Sequence, residues 1–334
     1  MARSGAEIFL RKANIVDENH SENVASSTEV PMSKPTVLLL GVTGQLGNLI
    51  AEKLRSDKSI SLRVCARDDK KLSRLRSEFE QAVKLDLDDP STFQAALEGV
   101  DRAFLLTGYT FAMVTQSKTF VDAARKAKVQ HLVHLGVFTP EFDCTDPHFA
   151  WHQMIEAYIK QSGIPWTFLH PNVFMQNLTG LFSLVKDGKV RWWCGDKPCG
   201  WIALEDVAEA AAKILSEGEK VHGSKEYWFS TECLTLTEIA RTLSEVAGHT
   251  IKADPRQPSQ VFDDLGIDEQ HADPYFHGVK EFCQQVLDGR MPYIATVRDD
   301  MKLLFNHPGM TLREWATFHK AELIGAAVGQ AAVR

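Results

Sequence analysis

A doubly wound, mostly parallel α/β sheet of the Rossmann type, followed by a smaller mixed α/β lobe, is the fold that the sequence predicts. Three observations predict it. Thr36–Leu40 is an unbroken apolar run, as a parallel strand buried on both faces should be. Gly41-Val-Thr43-Gly44-Gln45-Leu46-Gly47 follows at once and leads into a helical stretch. Short β-rich runs then alternate with helical runs as far as His170.

The elements follow in order. Leu49–Leu54 is helical, Leu62–Ala66 is the second strand and Ala82–Leu85 the third. Ser91–Leu97 reads as a helix with Ser91 as its cap. Arg102–Thr107 is the fourth strand, and Phe120–Lys126 lies on the next helix. Gln130–Leu135 is the fifth strand and Pro147–Gln161 the helix after it. Gly163-Ile164-Pro165 turns the chain into strand six, Trp166–His170. Beyond Pro171 the texture changes. Phe174–Val185 reads as helix, Val190–Cys194 as a short strand, Glu205–Ser216 as an amphipathic helix and Glu226–Phe229 as a strand. Thr235 and Glu238 form a capping-box pattern that opens a helix to Ala247. Helices near Tyr275–Leu287, Thr296–Leu304 and Leu312–Leu323 complete the expectation.

Composition narrows the function classes. Against 37 basic residues stand 44 acidic ones, a formal charge of −7, so no basic nucleic-acid footprint and no pull toward an anionic membrane is expected. No apolar run reaches the roughly 18 residues that a membrane-spanning helix needs. Residues 1–34 are polar and aperiodic and read as a disordered extension, with Met32 as a second possible start just ahead of the fold. Arg11 and Lys12 interrupt the short apolar piece Ile8–Leu10, and Glu7, Asp17, Glu18 and Glu22 speak against a signal or transit peptide. Six cysteines (65, 144, 194, 199, 233 and 283) show no disulfide spacing, which suits a cytoplasmic protein. Cys194 and Cys199 lie close in sequence but lack two further ligands for a zinc clip, and no metal is expected.

The glycine loop carries the chemistry. A side chain at Gly41 would block the tight turn, one at Gly44 would hold the backbone off a pyrophosphate, and one at Gly47 would hold the helix off the strand. The helix then presents its amides, from Gln45, Leu46 and Gly47, to phosphate. After strand two, where an acid would favour NAD(H), the chain reads Arg67-Asp68-Asp69-Lys70-Lys71. Arg67, with Lys71 a turn further on, suits the 2′-phosphate of NADP(H), which is the preferred cofactor; the two aspartates keep NAD(H) possible. The domains expected are therefore an NAD(P)-binding Rossmann domain at 35–171 and a substrate-binding lobe at 172–330, with some of the latter's strands and helices returning to the former.

Gly41–Gly47, Arg67, Asp86-Leu87, Leu105–Gly108 and Ser162–Asn177 together resemble the NmrA-like branch of the atypical short-chain dehydrogenase/reductases. The resemblance runs from about residue 35 to 323 and includes Trp201–Ala208 and Thr311–Trp315. It implies that Asp86 and Leu87 border adenine, that Thr107 and Gly108 lie beside the pyrophosphate and nicotinamide ribose, and that Pro171, Asn172 and Phe174 approach the nicotinamide. The family includes quinone and dye reductases and also redox-sensing regulators.

The catalytic pattern departs from the short-chain reductase norm. Gly136 stands where a serine closes strand five, and His148 and His152 stand where tyrosine and lysine are usual. Four-residue spacing puts both imidazoles on one helical face, His148 as a proton donor, helix cap or wall residue, and His152 as a donor to the ribose. Glu156 a turn further on permits a metal triad by spacing alone, but the cofactor should cover that face. His134 and His170 close strands five and six near the cleft. Phe138, Phe174, Trp192, Trp193, Trp201, Tyr275 and Phe276 are candidates for an aromatic pocket wall suited to a planar, apolar small molecule. The functions left open are an NADPH-dependent oxidoreductase acting on a carbonyl, quinone or conjugated compound, an NADP(H)-binding sensor that signals through a protein partner, and a non-redox enzyme that retains the dinucleotide. A homodimer is compatible with each.

Overall fold

The structure, a computed structural model, describes residues 34–140 and 145–327. Apart from Lys34, the expected N-terminal extension lies outside the described residues, as does Cys144. The first half alternates strand and helix: β1 (Thr36–Leu39), α1 (Gln45–Arg55), β2 (Ser61–Ala66), α2 (Asp69–Glu78), β3 (Gln81–Lys84), α3 (Phe93–Leu97), β4 (Arg102–Leu105), α4 (Met113–Lys126), β5 (His131–Leu135), α5 (Pro147–Ser162) and β6 (Trp166–Pro171). The second half starts with β7 (Val173–Phe174), β8 (Val185–Lys186), β9 (Lys189–Trp192), β10 (Cys199–Ile202), α6 (Leu204–Glu217), α7 (Glu219–His222), β11 (Lys225–Ser230) and β12 (Glu232–Leu234). It continues through α8 (Leu236–Ala247), β13 (Lys252–Pro255), α9 (Val261–Leu265), α10 (Pro274–Leu287), β14 (Arg298–Asp299), α11 (Met301–Phe305), α12 (Leu312–Phe318) and α13 (Lys320–Ala327).

The central sheet has the order β14-β11-β6-β5-β4-β1-β2-β3. Every neighbour pair is parallel except β11 and β14. This is the Rossmann-type order, and the strand sequence reverses between β1 and β4, which opens a crevice at their carboxyl ends. Alternating side chains of the strands feed two cores. On one face Val37, Leu39, Phe104 and Val133 pack under α1 and α6, with Ile50, Ala51, Ala208 and Ala211 in contact range. The other face buries Leu38, Leu105 and Phe168 under α3, α4 and α5. Small alanines on α6 let its axis approach α1 closely. Two small sheets, β12-β10-β7 and β13-β9-β8, make up most of the remaining strand structure.

Capping explains several boundaries. Thr235 and Glu238 form the expected box, with Glu238 N donating to Thr235 Oγ1 at 3.2 Å and Thr235 N donating to the Glu238 carboxylate at 2.9 Å. Ser91 is not the cap of its helix. Asp89 caps instead, accepting from Ser91 N at 3.1 Å, and Pro90–Thr92 winds as a 3₁₀ turn before α3. Phe174–Val185 is not a helix. Only Met175–Leu178 makes a 3₁₀ turn, and Ser183 sits at φ 44°. Its apolar spacing arose because Met175, Leu178, Phe182 and Leu184 are buried from a loop wrapped over the core. Thr296–Leu304 likewise divides into β14 and α11, and Leu312–Leu323 is interrupted at His319. Among the described residues no helix is long and apolar enough to cross a membrane. No cluster able to hold a metal occurs among them either, and Cys65, Cys194, Cys199, Cys233 and Cys283 are free thiols.

Candidate functional site

Two cavities lie at the carboxyl ends of the central strands and share Leu106 as a common wall. The first, about 470 Å³, is lined by Gly41, Thr43, Arg67, Lys71, Asp86, Leu87 and Gly108, seven of the residues that the sequence singled out. Gly41 has φ +76°, and a Cβ there would lie 2.3 Å from Leu106 Cδ2. At Gly47 a Cβ would fall 2.1 Å from the Gly41 carbonyl oxygen, so only glycine lets α1 start this close to β1. A Cβ at Gly44 would meet only that same oxygen, at 3.4 Å, which leaves the loop open on that side. Among the described residues the amides of Gln45, Leu46 and Gly47 have no acceptor, as at any helix start, and they form the positive end of the α1 dipole. Side chains of Gln45 and Leu46 do not line the cavity; Leu46 is buried in the core, so any contact it offers is through its backbone.

The acids beside Arg67 are otherwise engaged. Asp68 caps α2, accepting from Lys71 N at 2.7 Å, and Asp69 pairs with Lys84 at 3.0 Å. Arg67 is exposed and has no ion-pair partner among the described residues. Asp86 accepts from Asp88 N at 3.1 Å and donates its own amide to Thr92 Oγ1 at 3.1 Å, which fixes the loop after β3. The pocket thus offers an uncommitted guanidinium and a free row of amides, the donor set that a phosphorylated dinucleotide requires.

The second cavity, about 340 Å³, holds both histidines together with Thr107, Phe138, Pro171, Asn172, Phe174, Trp192 and Tyr275. Tyr109, Asp146, Phe149, Phe182 and Phe282 join them without having been anticipated. Among the described residues no lysine or arginine lines it. The ring centroids of His148 and His152 are 5.1 Å apart, and Tyr109 packs edge-on to His148 at 4.1 Å. His152 Nδ1 is 3.1 Å from His134 Nε2. Burial pushes His134 and His148 down to about 4. His152 is driven well below its usual value by burial first and by its imidazole neighbours second. All three are therefore uncharged at neutral pH. Asp146 goes the other way, pushed up to about 6 by burial. Its Oδ1 accepts from His148 N at 2.9 Å and Phe149 N at 3.3 Å, while Oδ2 is buried without a hydrogen-bond partner among the described residues. Thr107 Oγ1 is a second orphaned buried atom on this wall.

Gly136 is shaped by what lies behind it. A Cβ there would fall 2.3 Å from Glu156 Oε1 and 2.9 Å from the His170 ring, so a serine requires that pair to move. Glu156 accepts from His170 Nε2 at 2.9 Å. The carboxylate that spacing offered as a metal ligand is thus paired with His170, behind the cavity wall. Asn172 reaches the cavity, but its amide is spent on Ile294 O at 3.0 Å, Ser230 Oγ at 3.3 Å and, through Oδ1, Val173 N at 3.0 Å.

Three expected wall residues are elsewhere. Trp193 follows Trp192 and points to the opposite side, where Nε1 donates to Asp264 Oδ2 at 2.9 Å. Trp201 is fully buried on β10 against Trp192, and Phe276 packs on Tyr275 and the lobe core. Asp146 itself had a readable signal: Asp-Pro before an apolar helical run marks an N-cap and N1. Nothing local marks Phe182 or Phe282, which arrive from a loop and from α10.

A model of the NmrA-like family matches residues 33–300. Among curated relatives, the NAD(P)H azoreductase of Xenophilus azovorans is 28% identical over 292 residues, 85% of this chain and 98% of its own. The (4-alkanoyl-5-oxo-2,5-dihydrofuran-3-yl)methyl phosphate reductase of Streptomyces griseus is 28% identical over 290 residues, 85% of this chain and 97% of its own. The Citrobacter triphenylmethane reductase, solved in complex with NADP(H), superposes with a TM-score of 0.72 at 24% identity, over 88% of this chain and all (100%) of that one. At that identity the likeness establishes the fold.

Proposed function

The chain belongs to the NmrA-like family, and from that premise we propose that it is an oxidoreductase that binds NADP(H) in preference to NAD(H) and reduces a small, largely apolar carbonyl, quinone or conjugated compound. One observation carries the reading: a phosphate-seeking cavity with an uncommitted Arg67 meets an aromatic, largely apolar cavity at Leu106. When bound, the reduced nicotinamide supplies the hydride. The amides of Gln45–Gly47 hold phosphate, Arg67 and Lys71 clamp the 2′-phosphate, and Asp86 and Leu87 border the adenine. Thr107 offers its orphaned hydroxyl to the ribose side, and the aromatic wall orients the substrate and excludes water. Free thiols suit a reducing, cytoplasmic setting.

A second reading, an NADP(H)-responsive regulator acting through a protein partner, draws on the same cavity. Its histidines are uncharged at neutral pH and no lysine stands beside them among the described residues, which departs from the usual acid with its activator. A steady-state scan of NADPH oxidation against quinones, enones and aldehydes separates the readings. Turnover is expected; its absence across the panel, with tight NADPH binding retained, favours the regulator.

Two sets of variants test the assignments. Arg67→Asp is expected to weaken NADPH binding by about 2 kcal/mol, roughly thirtyfold, through loss of a charge-assisted bidentate contact, and to affect NADH much less. Equal losses for both cofactors in a fluorescence titration would place Arg67 outside the 2′-phosphate site. His152→Ala is expected to cost cofactor affinity about 0.5–1.5 kcal/mol, the worth of one donor to the ribose. With a quinone or carbonyl, His148→Phe is expected to lower turnover roughly 10²-fold at unchanged cofactor affinity, the usual scale of proton donation. His148 would make that donation as a neutral N–H; a full rate would make it a wall residue.

A further inference from the structure

We propose that His134, which lines neither cavity, is a positioning residue: its Nε2–H donates to His152 Nδ1 and so holds His152 in the tautomer that keeps its own N–H on Nε2, the nitrogen left to the cavity. This rests on reading His152 as the group that meets the cofactor ribose.

A single proton has to serve the contact between the two rings. His134 Nε2 and His152 Nδ1 lie 3.1 Å apart, and both side chains are buried. Burial keeps both rings uncharged at neutral pH, so each carries one N–H and one bare nitrogen. Two N–H groups pointing at each other repel, and so do two lone pairs. One ring therefore donates and the other accepts, which allows two arrangements that differ in what they strand in the core.

In the first, His134 donates from Nε2 and its Nδ1 is a bare lone pair. In the second, His152 donates from Nδ1 and the proton of His134 sits on Nδ1. That atom is buried and has no hydrogen-bond partner among the described residues. The Leu105 backbone, opposite His134 in the pairing of β4 with β5, favours the proton that the ring gains in acid. It is not placed to accept a hydrogen bond from the neutral ring. An orphaned N–H is the worse group to bury, and folded proteins tolerate an under-used acceptor more readily. The core thus supports the first arrangement.

Packing holds the donor in place. β5 lies inside the sheet between β4 and β6, and Phe168 meets the His134 ring edge-on at 6.2 Å and 89°. Glu156 is the foremost charge acting on His134, and its carboxylate is engaged by His170 at 2.9 Å.

The consequence lies at the ribose. An ammonium presents donors in every rotamer, whereas a neutral imidazole presents one only on the nitrogen that carries its proton. Which nitrogen that is depends on the hydrogen bond that the other makes. With Nδ1 occupied by His134, His152 is a donor on the cavity side before the cofactor arrives, and binding requires no tautomer exchange.

The test labels the histidines of the full chain with ¹⁵N and reads the protonated nitrogen of each ring by NMR at about pH 7.5, where both rings are neutral. His134→Gln and His152→Ala identify the two sets of signals. Both rings are expected as Nε2–H tautomers; a His134 protonated on Nδ1 overturns the proposal. NADPH titrations supply the second readout. His134→Leu is expected to weaken binding about threefold to tenfold, as His152→Ala does, the worth of one hydrogen bond. His134→Gln, whose side-chain amide donates from nearly the same place, should restore affinity to within about twofold. In a His152→Ala background, His134→Leu should cost nothing further. A loss that persists in that background, or that glutamine does not rescue, makes His134 a packing residue and overturns the proposal. If His134→Leu does not fold, the spectra of the parent protein decide. A reversed tautomer together with a full His152→Ala loss removes this inference and leaves the ribose reading standing. Nε2–H tautomers together with unchanged affinity in His152→Ala overturn the ribose reading, and with it the part of His134 in cofactor binding.

Discussion

Gly47→Val is expected to abolish measurable cofactor binding and to destabilise the fold by about 3 kcal/mol, the range of a severe overpacking change. The Cβ position at Gly47 lies 2.1 Å from Gly41 O, 2.4 Å from Gly41 C and 2.8 Å from Val42 N. All three are backbone atoms, with no flexible tip to swing aside. Relief requires α1 to lift from β1, which pulls Leu46, Ile50 and Leu54 out of the core that they share with α6. The amides at the start of α1 leave the phosphate position with it. Gly44→Ala separates the two effects. Its Cβ meets only Gly41 O at 3.4 Å, so the melting temperature should stay near that of the parent while NADPH affinity falls, because the methyl occupies the open side of the loop. Calorimetry and an NADPH titration on both variants check this. A Gly47→Val protein with parental melting temperature and affinity would show that the helix start is not what holds the cofactor.

How much of this was legible beforehand depends on how local each signal is. Most of the six strands from Thr36 to Pro171 announce themselves as short apolar-rich runs bounded by turn residues, because parallel pairing in the middle of the sheet buries both faces; β3, at the edge, is only half-buried. The glycine loop is readable because three glycines serve one turn. Arg67 is readable because it stands one residue past β2. The aromatic cavity is a different matter. Tyr109 comes from the loop after β4, Asp146 from the start of α5, Phe182 from a loop and Phe282 from α10, and they meet only through the tertiary fold. Aromatic content alone therefore could not distinguish Trp192, which faces the cavity, from Trp193 and Trp201, which fill the lobe. The Phe174–Val185 segment shows the same limit from the other side. Its apolar residues recur at helical intervals, but a loop with a residue at φ 44° buries the same side chains against the same core. Gly136 could be seen as a missing hydroxyl but not as a position closed by Glu156 and His170.

Acid should destabilise this protein through its buried imidazoles well before its surface carboxylates respond. Burial pushes His131 down to about 3, holds His134 and His148 at about 4, and drives His152 well below its usual value. In the unfolded chain each returns to about 6.5. Between those values the unfolded state binds more protons than the folded one, so stability falls as pH drops below about 6.5, by about 1.4 kcal/mol per unit for each imidazole. Asp146 and Asp206 oppose this. Burial raises both to about 6, so from there down to about 3.8 the folded state binds their protons more readily and gains stability at the same slope. The imidazoles outnumber these two carboxyls, which leaves a net loss that begins above pH 6, where the carboxyls do not yet act, and continues to about pH 4.5. One residue isolates the cause. His131 is buried on β5, away from both cavities, with Nε2 2.8 Å from Thr167 Oγ1. His131→Gln should be less stable than the parent at about pH 7.5, because it disturbs that packing, yet the two stabilities should converge by about 1.4 kcal/mol per unit below pH 6.5 as the parent loses what the variant no longer has to lose. Urea unfolding of both proteins at a series of pH values measures the gap, and parallel curves would show that His131 keeps its ordinary proton affinity inside the sheet.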